Sequence, residues 1–154
     1  MSQSVSPPQP SVPVVKSRTV MEKVMDLMLL SLAQGEETFR DVLLRFMPVI
    51  IYRLEAYFFD ERRKGMMQVF RETVLAVFKK KYKDIPPPEL EEDDLPSIIM
   101  DKLVRTMRAH VSKTDIRDIR VLKESEIMEE LRYRAALIIF TAAQVALNYW
   151  GELQ

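Results

Sequence analysis

The stretch A-A-L-I-I-F-T-A-A-Q-V-A-L-N-Y-W, residues 135–150, decides how this chain folds. With Gly151 it forms seventeen uncharged residues, interrupted only by Thr141, Gln144 and Asn148. That length falls just short of a bilayer span, so it is expected to be a buried helix, with a lipid-facing role inside an oligomer as the second possibility. A helix that is apolar on nearly every side is either central in a bundle or covered by other subunits.

Working outward, every strong period is helical. Ser125 is expected to open that last helix. Upstream, Thr114 to Lys123 is weakly patterned, with Ile116, Ile119 and Leu122 fitting a short helix. Ser97 is placed as the cap of a helix reaching about Ser112, with Ile99, Leu103, Met107 and Val111 inward. Asp60 can cap another through Lys83, built on Met66, Phe70, Val74, Val77 and Phe78, which Pro86, Pro87 and Pro88 then stop. Glu36 to about Phe59 carries Phe39, Leu43, Phe46, Ile50, Leu54 and Tyr57 on one side, and Pro48 inside it predicts a kink. The first helix is expected over about 20–34: Thr19 and Glu22 match a capping box, Val20, Val24, Leu27 and Met28 form the stripe, and Gly35 ends it. No internal repeat is apparent.

Residues 1–19 hold Pro7, Pro8, Pro10 and Pro13 among Ser, Gln and Val, with too little apolar content to order a packed segment. The expected organisation is an extended Pro-rich N-terminal arm over 1–19 and a helical domain over 20–154. The fold class is all-α, an antiparallel bundle of four to six helices.

Composition narrows the function. The chain has no cysteine, which removes disulfides, thiolate chemistry and Cys-based metal sites. Three glycines are few for an enzyme that cradles phosphates, so no enzymatic activity and no cofactor are expected. Charged residues make up 30% with the signs balanced, a mix that fits a hyperthermophile as well as an ordinary helical protein. The polar start lacks the apolar core of a secretory signal. Zero net charge hides a split: residues 1–84 hold 14 Lys and Arg against 10 Asp and Glu, and residues 85–154 hold 9 against 13. Such polarity allows head-to-tail contacts between copies, or one face turned to a polyanion.

Candidate chemistry is sparse. His110 is the only histidine and belongs to no Cys/His constellation, so a satisfied or solvent-facing role is expected. Glu36 with Glu37, and Glu129 with Glu130, are adjacent on helices and point about 100° apart, so neither pair converges. Glu89, Glu91, Glu92, Asp93 and Asp94 form an acidic loop between prolines. It is read as solvated surface; a metal-dependent enzyme built on it would lose turnover on changes at Glu92 or Asp94. Tyr149 and Trp150 suit a packing anchor or an interface.

The basic residues have a clearer geometry. Lys64, Arg71 and Lys79 fall within one stripe of a helix, with Gln68 between and Lys83 at its edge. Arg62, Arg63 and Lys64 cluster at one end of that helix, and Lys79, Lys80, Lys81 and Lys83 at the other, roughly 35 Å apart at the standard rise. Lys16 and Arg18 could add to them. Cations at intervals along a rod suit a phosphate backbone, bound without sequence readout and with strong salt dependence. A solvated helix face accounts for the same spacing equally well.

The order of parts, a Pro-containing arm around Pro7 to Pro13, helices folded back on one another, no cysteine, and an apolar last helix Ala135 to Trp150, resembles the major capsid proteins of filamentous viruses of hyperthermophilic archaea. In that family pairs of helical subunits wrap linear double-stranded DNA. The resemblance implies a structural virion protein in which Lys16, Arg18, Arg62, Arg63, Lys64, Arg71, Lys79, Lys80 and Lys83 face DNA. It also implies assembly with further copies and a second related capsid subunit, and packing of Ala135 to Trp150 between subunits or toward a lipid envelope. Zero net charge would then require a more basic partner subunit or asymmetric facing. The alternative is a small helical nucleic-acid-binding subunit of an archaeal ribonucleoprotein or replication complex, such as a CRISPR effector small subunit or a primase accessory subunit.

Overall fold

The structure, a computed structural model, describes the backbone of residues 12–35, 37–113 and 116–153, and side chains over 23–35, 37–113 and 116–148. Five helices account for most of it: α1 (Val12–Ala33), α2 (Phe39–Phe58), α3 (Lys64–Lys81), α4 (Pro96–Ala109) and α5 (Glu124–Leu153). Short 3-10 turns occupy Glu61–Arg63 and Arg117–Ile119, and the described residues contain no strand. The protein is all-α.

α5 is the central helix, packing against α2, α3 and α4. Leu131, Ala135, Ala136, Ile138, Ile139, Ala142, Ala143 and Ala146 are fully buried along it. Against them lie Met66, Phe70, Val74 and Phe78 of α3 and Ile99, Leu103 and Met107 of α4, spaced at three or four residues as a buried helix face requires. No helix among the described residues is long and apolar enough to cross a membrane.

Direction follows from the contacts between ends. Arg40 at the start of α2 and Tyr82 after α3 both reach the Glu130 and Arg134 level of α5, while Phe58 at the end of α2 stacks on Phe70 near the start of α3. α4 starts beside the end of α2, where the Ser97 N–H donates to Glu55 Oε2 at 2.9 Å, and finishes at Arg108, which pairs with Glu124. α3 and α4 therefore run in the same direction, both antiparallel to α5. The acidic segment between them must travel back along α3, which a hairpin would not do.

Several sequence expectations need correction. α1 begins at Val12, so the Thr19 and Glu22 pair lies inside a helix; Pro13 is tolerated there because first-turn N–H groups have no intrahelical acceptor. Residues 1–11 of the expected arm lie outside the described residues. α2, expected from Glu36, begins at Phe39 and is capped by Thr38, whose hydroxyl accepts from the Asp41 N–H at 3.2 Å in a reciprocal box. Its buried line is Val42, Leu43, Met47, Ile50, Leu54 and Phe58; Phe39 is exposed, and Phe46 and Tyr57 are half-buried. The helix continues through Pro48, which faces outward. α4 starts on Pro96, not behind a Ser97 cap, because proline's missing N–H costs nothing in the first turn. Leu27, expected in the apolar stripe of the first helix, is exposed at 53%.

Candidate nucleic-acid interface

The basic helix expected to run from Asp60 through Lys83 divides into a 3-10 turn and α3. Asp60 caps the turn by accepting from the Arg62 N–H at 2.9 Å. Its carboxylate also accepts from the Arg62 side chain, and these bonds hold it down at a pKa of about 2. Arg62 is thus paired, and Lys64 pairs with Glu61 at 2.9 Å one helical turn away. Arg63 stacks on the Tyr57 ring, with its guanidinium carbon 4.0 Å from the ring centre, and donates to the Tyr57 carbonyl. Three of the expected phosphate ligands therefore already have partners within the chain.

Arg71 is half-buried rather than projecting. Its Nη2 approaches the Gln68 side-chain oxygen at 3.4 Å, and its Nη1 is buried without a hydrogen-bond partner among the described residues. It lines a groove of about 550 Å³ together with Glu92, Asp93 and Asp94, so the acidic loop folds back over the start of the basic stripe. Burial acts to raise the Asp94 carboxyl, but hydrogen bonds from Lys102 and the Glu91 N–H, with the charges of Lys102 and Arg71, outweigh it and lower the pKa. Glu72 sits in the same angular stripe as Gln68 and Lys79, exposed, accepting from Gln68 at 2.9 Å. Sequence spacing overlooked that carboxylate.

The far end is different. Lys79, Lys80, Lys81 and Lys83 are all exposed, and none forms an ion pair among the described residues. They complement the negative end of the α3 dipole, which is their stabilising role in the free protein. Next to them lies the 117–120 turn, because Tyr82 and Asp118 both meet Arg134. That turn contributes two more exposed cations, Arg117 and Arg120, which sequence analysis left unassigned. Their signal was present as two arginines three apart, in a segment whose weak pattern hid the fold that brings them to the lysines. The side chains of Lys16 and Arg18 fall outside the described ones.

This end is anchored by a charge network on α5. Glu130 accepts from Arg40 of α2 and, at 2.9 Å, from Arg134, which also reaches Asp118 at 3.2 Å. Burial acts to raise the Glu130 carboxyl, yet the hydrogen bonds from Arg134 and Arg40 prevail and lower its pKa. The Arg40 guanidinium also lies over the Tyr133 ring, 5.1 Å from its centre.

Elsewhere, His110 Nδ1 donates to the Thr106 carbonyl at 2.8 Å. No group of three or more His, Cys, Asp or Glu able to hold a metal occurs among the described residues. Comparison with known protein families, with curated proteins and with solved structures finds no match for the chain.

Proposed function

We propose that the protein is a non-enzymatic assembly subunit that coats linear double-stranded DNA through sequence-independent phosphate contacts, in the manner of the capsid proteins of filamentous archaeal viruses. The observation that carries this proposal is the exposed group Lys79, Lys80, Lys81 and Lys83 at one end of α3, none of which forms an ion pair among the described residues. Cations without carboxylate partners among the described residues, in a chain of zero net charge, are the groups able to replace counterions on a phosphate backbone. Arg62, Lys64 and Arg71, held by neighbours, are assigned a supporting role. The same proposal places the protein in the virion, with other copies, a second and more basic capsid subunit and a lipid envelope as its further partners.

Negative-stain electron microscopy of the protein with linear duplex DNA, at low and at high salt, tests this. Long uniform filaments that require DNA and dissolve with salt are expected. Discrete particles of fixed size would instead favour a subunit of a ribonucleoprotein or replication complex.

A further inference from the structure

Two exposed apolar surfaces lie at opposite ends of the bundle and carry opposite charge. The first is a knob on the segment leading into α5. Val121 is 85% exposed and Leu122 37%, and Arg117, Arg120 and Lys123 beside them are exposed without an ion pair among the described residues. The second is the groove of about 550 Å³ where α4 begins. Its apolar wall includes Phe59, 89% exposed, Met67 and Leu95, 51% exposed. On its rim Glu92 and Asp93 are exposed and unpaired in the same sense. The two cations on the wall do not cancel them, since Lys64 pairs with Glu61 and Arg71 faces Asp94.

α4 separates the two surfaces: Leu95 and Ser97 belong to the groove end, and Arg108 pairs with Glu124 beside the knob. Fourteen helical residues put them about 20 Å apart along the axis. One molecule therefore cannot close its own knob into its own groove.

We propose that the knob Arg117–Lys123 of one copy docks into the acid-rimmed groove at Phe59 and Leu95 of the next copy, making a head-to-tail contact that propagates. An apolar centre ringed by opposite charges is the arrangement that fixes register while excluding like surfaces. Because knob and groove differ, the contact is heterologous and continues into a ring or a filament instead of closing as a two-fold dimer. This deepens the assembly reading above by naming the surfaces that join subunits. It leaves Lys79, Lys80, Lys81 and Lys83 to the polyanion.

The test is sedimentation velocity of the full chain without nucleic acid, at low and high salt, alongside two charge reversals, E92K/D93K and R117E/R120E/K123E. The wild type is expected to grow with concentration at low salt and to shrink toward monomer at high salt. Each reversal alone should weaken self-association about tenfold or more, and an equimolar mixture of the two should restore it, because the unchanged knob and groove then meet as in the wild type while the reversed groove meets the reversed knob with complementary charge. Substitution V121D, which leaves the rim charges in place, should also weaken it. Circular dichroism should show the variants as helical as the wild type, since the substituted positions are exposed. A monomeric wild type at low salt, reversals that associate as well as wild type, or a mixture that stays monomeric would each overturn the proposal. Binding of the variants to a duplex too short for two copies, followed by fluorescence anisotropy, separates the two readings. If E92K/D93K and V121D bind it and K79A/K80A/K81A/K83A does not, the phosphate surface stands whatever becomes of the docking contact.

Discussion

Substitution Glu130→Gln tests the network that anchors the lysine end. The side chain is 17% exposed and accepts from both Arg40 and Arg134, themselves 34% and 17% exposed. The amide keeps the shape but removes the charge, leaving two guanidinium groups without their shared anion. Hydrogen bonds to charged groups contribute about 1.5–3 kcal/mol each, and the partial exposure of Arg40 reduces its share, so a total loss of about 2–3 kcal/mol is expected at pH 7. With a urea m-value of about 2 kcal/mol/M, the unfolding midpoint should fall by about 1 M. The sign of the pH dependence is fixed by linkage. Glu130 has its folded pKa below the unfolded value, so its contribution is fully present above the usual carboxylate range and is lost as pH falls through the folded pKa. Urea titrations followed by circular dichroism at pH 7 and at progressively lower pH should therefore show the wild type and the variant converging on acidification. Equal stability at pH 7, or a gap that persists unchanged in acid, would refute this account of the network.

Two further outcomes follow from packing and backbone. Phe70→Ala opens a cavity at a fully buried site where Phe58 stacks at 5.3 Å between ring centres, and should cost about 3–5 kcal/mol in urea unfolding; a loss below about 1 kcal/mol would mean that the α2 and α3 joint is not a packed core. Gly35 has φ of +76° and a Cβ there would meet nothing within 4 Å, so Gly35→Ala should cost about 1 kcal/mol through the backbone alone, and an unchanged thermal midpoint would contradict that conformation.

Much of the fold was legible because α5 reports itself. From Ala135 to Ala146 its apolar residues leave no wide polar face, and the structure fully buries Ala135, Ala136, Ile138, Ile139, Ala142, Ala143 and Ala146 at the centre, leaving Thr141 and Val145 exposed on the outer side. The inward residues of α3 and α4 were equally readable from their spacing. Boundaries were less so, because several residues could serve as a cap. Ser97 looked like an N-cap until Pro96 took the first helical position, and the Thr38 box was hidden by having Asp41 where Glu or Gln is usual. At the candidate interface the cations were visible but their partners were not. Glu61 and Asp60 stood close enough in sequence to be recognised as counterions for Lys64 and Arg62. The return of Glu92 to Asp94 toward Arg71 depends on α3 and α4 running in the same direction, and no local pattern encodes that path.

The phosphate contacts are tested most directly by the affinity for a short duplex DNA as a function of salt, measured by fluorescence anisotropy. If Lys79, Lys80, Lys81 and Lys83 each neutralise one phosphate, a plot of log affinity against log salt should have a slope of about −3.6. Replacing Lys79 and Lys80 by alanine should reduce its magnitude by about 1.8, while Lys64→Ala, which removes a cation already paired with Glu61, should leave it nearly unchanged. A flat salt dependence, or a slope that follows Lys64 and ignores the lysines at the end of α3, would contradict the account.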